Sequence, residues 1–172
     1  MKDSFETSTK TLLSNFNSFT EVHVLYVRNI DLVHINIYKP PACPKIYFND
    51  QWTKIKEILI NLPPPMPTVT LTGALNLSLI KWKSESVYGG ISDMRTQPEA
   101  FLQLVEEFCL IQSIDISTRG DNIFDVVMTK NEQLLYDYTV NKTNLSDHNI
   151  ITITTNITKE VYGAPNSNSH ET

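Results

Sequence analysis

An α/β fold is predicted for this chain, and three observations predict it. A helical stripe of apolar residues ends at Pro63-Pro64-Pro65 and is followed at once by the β-branched run Thr68-Val69-Thr70-Leu71-Thr72. A second stripe, Phe101, Leu104, Val105 and Phe108, gives way to the apolar run Leu110 to Ile116. Runs rich in β-formers, one of them alternating with period two, lie on either side. Helix followed by strand, both apolar, is the unit from which crossovers onto a sheet are built.

Each element can be justified in turn. Leu12, Leu13, Phe16 and Phe19 stand at near-helical spacing, so residues 10–19 are expected to be helical. Val22 to Tyr26 and Leu32 to Tyr38, split by Arg28-Asn29-Ile30-Asp31, predict an antiparallel hairpin. In its second strand Val33, Ile35 and Ile37 alternate with His34, Asn36 and Tyr38. Pro40-Pro41 ends that strand, because proline has no N–H for the ladder. Asn49 or Asp50 can cap a helix carrying Trp52, Ile55, Ile58, Leu59 and Leu62 on one face. The strand after it runs into Gly73, and glycine stands where backbone turns or approaches another group closely. Asn76 follows just beyond, at the carboxyl edge where α/β proteins place their chemistry.

Lys83 to Arg95, containing Gly89-Gly90, reads as a surface loop, and Thr96-Gln97-Pro98-Glu99 as a capping box opening the next helix. Leu110 to Ile116 is expected to be a strand, Thr118 to Asn122 a turn, and Ile123 to Met128 a strand that carries Asp125. A carboxylate in so apolar a run is costly unless it finds a partner. Tyr136 to Val140 and Ile150 to Thr155 are further strands, flanking a loop with Ser146-Asp147-His148. The organisation expected is one domain over 22–158, a poorly defined segment over 1–21, and a polar, disordered tail over 159–172.

Composition narrows the function. At 172 residues the chain suits a single domain with a real core. Its net charge of −5 gives no broad basic footprint for nucleic acid, although a local cluster remains open. Cys43 and Cys109 form neither a disulfide framework nor a metal-ligand spacing, and suit a reducing compartment. Residues 1–10 carry no apolar signal region and no apolar run approaches spanning length, so an intracellular, non-membrane protein is expected.

Asn76, Asp125, Asp147 and His148 come from separate parts of the chain, each at or beside a strand end. Hydrolysis of a phosphodiester needs such a set: hard oxygens for a cation, a group to hold water, and a histidine oriented by a carboxylate. Each residue taken alone has a plainer reading, as a turn former, a loop histidine or a satisfied buried acid. The joint pattern is specific.

That pattern is embedded in longer words: Ile37-Tyr38-Lys39-Pro40-Pro41, Leu71 to Leu77 with Ile80-Lys81-Trp82, Thr118 to Thr129, and Leu145-Ser146-Asp147-His148. In order and spacing they resemble the endonuclease of non-LTR retrotransposons, within the endonuclease/exonuclease/phosphatase superfamily, over roughly Val22 to Ile157. The resemblance implies a DNase I-like, four-layered α/β sandwich, a divalent cation (usually Mg²⁺) and nicking of DNA by water. It implies that Asn76 holds the attacking water or the phosphate, that Asp147 sits at the metal, and that His148 contacts the scissile phosphate. Asp125 would accept from the His148 ring and fix its tautomer.

Two departures predict impaired catalysis. Where the family word carries an aspartate after the glycine, this chain has Ala74, whose methyl group can neither orient nor deprotonate water. The family also begins with two strands bearing an asparagine and the glutamate that is its principal metal ligand, and nothing before Val22 reads as either. Groups of this kind are each worth on the order of 3 kcal/mol in the transition state. The expectation is a retroelement-derived nuclease domain, partial at its N-terminal strands and impaired in turnover. The alternative is a non-catalytic remnant binding nucleic acid or protein, and a third reading, a phosphoesterase acting on small substrates, is weaker. Uncovered strand edges would further favour self-association.

Overall fold

The computed structural model describes residues 9–16 and 20–156; the tail expected over 159–172 lies outside them. Among the described residues ten strands and two α-helices follow in order: β1 Thr9–Phe16, β2 Glu21–Val27, β3 Leu32–Tyr38, α1 Lys45–Ile60, β4 Thr68–Ala74, β5 Ile80–Lys81, β6 Ser86–Val87, α2 Ser92–Glu107, β7 Ile111–Gln112, β8 Asp125–Thr129, β9 Leu135–Asn141 and β10 Ile150–Thr155. Six strands make one mixed sheet in the order β1-β2-β3-β4-β8-β7, while β9 with β10 and β5 with β6 form separate ribbons.

The hairpin read from the alternating runs is β2 and β3, antiparallel from Glu21 opposite Tyr38 to Val27 opposite Leu32. Its turn closes on Asp31 in the left-handed region at φ +47°. The Asp31 carboxylate accepts from Tyr26 Oη at 2.6 Å. From β3 the chain crosses through α1 to β4, which pairs with β3 in parallel. This is the crossover that helix-then-strand order predicts.

Alternation gives the sheet two unlike faces. Val22, Val24, Val33, Ile35, Ile37, Val69, Leu71, Val126 and Met128 share one buried core with Phe48, Trp52, Ile55 and Leu59 of α1 and Phe101, Leu104 and Val105 of α2. An aromatic cluster ties the helices together, with Trp52 stacked on Phe101 at 5.1 Å and Trp82 edge-on to Phe101 at 6.1 Å. The opposite face carries His34, Thr70, Thr72 and Thr129 in paired register. There the β9–β10 ribbon closes over a cavity of about 230 Å³ lined by His34, Thr70, Thr72, Val127, Leu135 and Ile153. Among the described residues no helix is long and apolar enough to cross a membrane.

Three local expectations are corrected. Residues 10–19 do not form a helix: Thr9–Phe16 is a strand, paired antiparallel along the whole outer edge of β2. The register slips between Thr11 and Leu13, and this bulge breaks the period-two pattern that would have marked a strand. The sheet therefore runs ahead of the boundary expected at residue 22, and among the described residues its edge on this side is β1. Helix α1 starts at Lys45 behind Pro44, not at Asn49 or Asp50; Asp50 instead bonds Lys54 one turn on, at 2.6 Å. Helix α2 starts at Ser92, so the expected loop over 83–95 is shorter and Thr96 is no cap. Its hydroxyl donates to the Asp93 carbonyl at 2.8 Å, and Pro98 sits inside the helix.

The half-buried histidine of the second face makes stability depend on pH. His34 Nδ1 lies 2.9 Å from Thr70 Oγ1, and burial holds the imidazole below its ordinary value. A folded-state pKa below the unfolded one contributes stability that is complete above about pH 6.5 and is lost as pH falls below that. The melting temperature is expected to drop on acidification from about pH 7.5 to about pH 5, and to drop less in His34→Gln. Parallel curves for the two proteins would show that His34 is not the group responsible.

Candidate functional site

The site lies where the carboxyl ends of β3 and β4 meet the amino end of β8. Tyr38, Ala74 and Asp125 stand in one row across the three strands, on the sheet's second face. Gly73 precedes the row at φ +131°, against the Ile37 backbone of β3. Beyond it the N–H groups of Leu75 and Asn76 both donate to the Phe124 carbonyl, at 2.9 and 3.4 Å. Asn76 adopts the left-handed region, φ +52°, which asparagine tolerates better than most residues. Its Nδ2 donates to the Lys39 carbonyl at 2.7 Å, and its Oδ1 is buried without a hydrogen-bond partner. Lys39 itself is almost wholly buried, and burial holds its ammonium below the usual lysine value.

A second set of bonds fastens the turn before β8 to the loop after β9. Thr118 is fully buried, and its hydroxyl oxygen accepts from the N–H groups of Phe124 and Asp125, at 2.9 and 3.1 Å. The Thr118 carbonyl accepts from the Asn149 N–H at 2.8 Å, while Asn149 Nδ2 donates to the Ser117 carbonyl at 3.2 Å. Trp82 Nε1 donates to the Ile123 carbonyl at 3.3 Å, tying the same turn to the helical layer. The position of His148 thus follows from a threonine thirty residues earlier in the chain.

His148 Nδ1 lies 2.8 Å from Asp125 Oδ2, with the two side chains 22% and 16% exposed. The apolar strand has its costly acid, and the acid has its partner. Across the ring, Arg119 Nη1 is 3.0 Å from His148 Nε2 and 3.3 Å from Asp147 Oδ2. The guanidinium lies over the Phe124 ring at 4.1 Å. A guanidinium nitrogen can only donate, so Nε2 accepts and Nδ1 carries the hydrogen that goes to Asp125. The geometry assigns a neutral imidazole whose Nε2 lone pair accepts from Arg119.

The structure therefore brings Asp125, Asp147 and His148 together. Asn76 shares the edge through its backbone, but its amide turns to Lys39 and makes no bond to the pair. Arg119 and Thr118 were not singled out by sequence. Both lie in a word rich in turn formers, where a charged side chain normally reads as solvated and a threonine as a local cap.

The Mg²⁺ implied by resemblance does not fit these donors. Among the described residues no three His, Cys, Asp or Glu side chains are arranged to hold a metal ion. Asp125 is engaged by His148, and Asp147 is exposed and paired with a guanidinium. Asn76 Oδ1 is a free acceptor, but one amide oxygen beside one compromised carboxylate falls short of the carboxylates that usually anchor this cation.

No family model and no curated protein matches the sequence. Solved structures do. The endonuclease domain of TRAS1, a telomere-specific non-LTR retrotransposon, superposes with a TM-score of 0.59 at 14% identity, over 89% of this chain and 70% of that one. The 3′ phosphatase NExo from Neisseria, bound to a product DNA hairpin, superposes with a TM-score of 0.52 at 16% identity, over 78% of this chain and 64% of that one. This chain thus spans slightly less than two thirds of the second protein's length. At these identities the likeness establishes the fold, a DNase I-like α/β architecture.

Proposed function

We propose that this chain is an endonuclease-like domain of retroelement type whose site, framed by His148, Asp125, Asp147 and Asn76, takes a nucleic-acid phosphate but is impaired in hydrolysing it. The single observation that carries the reading is the His148–Asp125 pair, held at 2.8 Å with the second ring nitrogen beside the Arg119 guanidinium, in the same strand row as Ala74. An oriented imidazole is what a phosphate-handling site needs, and a methyl group in that row cannot position water. The fold supports the reading, since two of the proteins it resembles are named as a nuclease and a phosphatase. The metal-dependent hydrolysis implied by the sequence words is the ancestral activity in this proposal. The unit that carries it is the domain expected over 22–158, extended by β1.

The test is nicking of supercoiled plasmid by the purified chain in Mg²⁺ or Mn²⁺. No nicking above a His148→Ala control is expected, and Ala74→Asp alone is expected not to restore it, because a water-orienting acid without a metal-holding set has nothing to act with. Turnover above the control would overturn the impaired state. Rescue by Ala74→Asp would show that a working metal site is present.

A further inference from the structure

We infer that Arg119 is the phosphate-docking cation of this site, taking a phosphate oxyanion without a divalent metal. The inference rests on the proposed phosphate site and adds the group that makes the first contact.

The argument starts from hydrogens. With the His148 Nδ1 hydrogen committed to Asp125 at 2.8 Å, Nε2 presents a lone pair and repels a phosphate oxygen. In this arrangement the donor beside the ring is Arg119, whose Nη1 stands 3.0 Å from that nitrogen. The guanidinium has five N–H groups, and the hydrogen bonds it makes among the described residues all leave from Nη1, to His148 and Asp147. Its remaining donors form the planar fork that matches a phosphate in bidentate fashion.

The fork is also prepared in advance. It stacks on Phe124 at 4.1 Å, and the turn beneath it is pinned through buried Thr118. A side chain already held in place loses little freedom on binding. Its counter-charge is easily displaced: Asp147 is 74% exposed at 3.3 Å, and an exposed pair of that kind is screened and weak. An entering phosphate exchanges one anionic partner for a better one, and leaves the Arg119–imidazole hydrogen bond in place.

The positive charge that the fold's relatives are expected to take from a metal would come here from the chain itself. A protein of net charge −5 then needs no broad basic surface to recognise a strand, only this local cation.

Fluorescence anisotropy with a labelled single-stranded oligonucleotide tests this, in EDTA and in Mg²⁺, with and without a 3′-phosphate. The wild type is expected to bind in EDTA as well as in Mg²⁺. Arg119→Ala is expected to weaken binding by about tenfold and to reduce the slope of log K against log salt by about one, with Arg119→Lys intermediate. Asp147→Asn, which frees the guanidinium and alters an exposed side chain, is expected to tighten binding severalfold; it carries the test should Arg119→Ala fail to fold. Equal gain over both ends assigns an internal phosphodiester, and preference for the 3′-phosphate strand that vanishes in Arg119→Ala assigns a terminal one. Binding that requires Mg²⁺, or that is unchanged in Arg119→Ala and Asp147→Asn, overturns the role of Arg119 and leaves the wider phosphate site standing. No binding of any strand in either condition overturns both.

Discussion

Gly73→Ala is expected to cost about 4 kcal/mol or more and to leave little folded, soluble chain. A Cβ at this position would lie 1.8 Å from the Ile37 carbonyl oxygen and within 3 Å of the Ile37 C and N atoms, all of them backbone. The left-handed φ of +131° adds strain of roughly 1–3 kcal/mol for any residue with a side chain. Neither strand can move aside. Ile37 is hydrogen-bonded into the sheet between Val22 of β2 and Gly73 of β4, and its side chain is buried. The clash would therefore displace the central parallel pair and, with it, the row of Tyr38, Ala74 and Asp125. Since whole domains are stable by only about 5–15 kcal/mol, the loss is a large fraction of the total. Gly89→Ala is the control: φ is also positive, +70°, but a Cβ there meets nothing within 4 Å. Thermal melts and gel filtration of the two variants decide the matter. If Gly73→Ala melts within a few degrees of the wild type, the close approach of the two strands is wrong.

Thr118→Val should lower the melting temperature by roughly 10 °C while keeping the shape of the side chain. The substitution leaves two backbone N–H groups, those of Phe124 and Asp125, without the oxygen they share. Each unsatisfied buried donor costs about 1–3 kcal/mol, and Thr118 is fully buried, so water cannot substitute cheaply. The local consequence is more telling than the melt. Asp125 would lose the backbone bond that sets its side chain opposite His148. Imidazole nitrogen shifts would then show His148 as a mixture of tautomers in Thr118→Val, against the single Nδ1–H form in the parent. A variant as stable as the parent, with the same imidazole signature, would remove Thr118 from any part in holding the site.

Sequence alone determined the elements whose signals are local. The β2–β3 hairpin follows from alternation along Leu32–Tyr38, and the α1–β4 crossover from a stripe ended by three prolines. It also determined that Asp125 needs a partner, because burial of a lone carboxylate is costly wherever the strand lies. It misjudged β1, where a bulge at Leu12 makes the apolar residues recur at helix-like spacing. The start of α2 was misjudged too, since Thr96 and Glu99 imitate a capping box from inside the helix. Only the tertiary structure decided which side chains meet. Arg119 and His148 are 29 residues apart in the chain, and nothing in the turn around Arg119 distinguishes it from a solvated surface cation. They touch because Thr118 and Asn149 join two loops, closing a contact that no local periodicity encodes. Local patterns specify which face of an element is apolar; the long-range closure of loops on a finished sheet specifies where charge is placed.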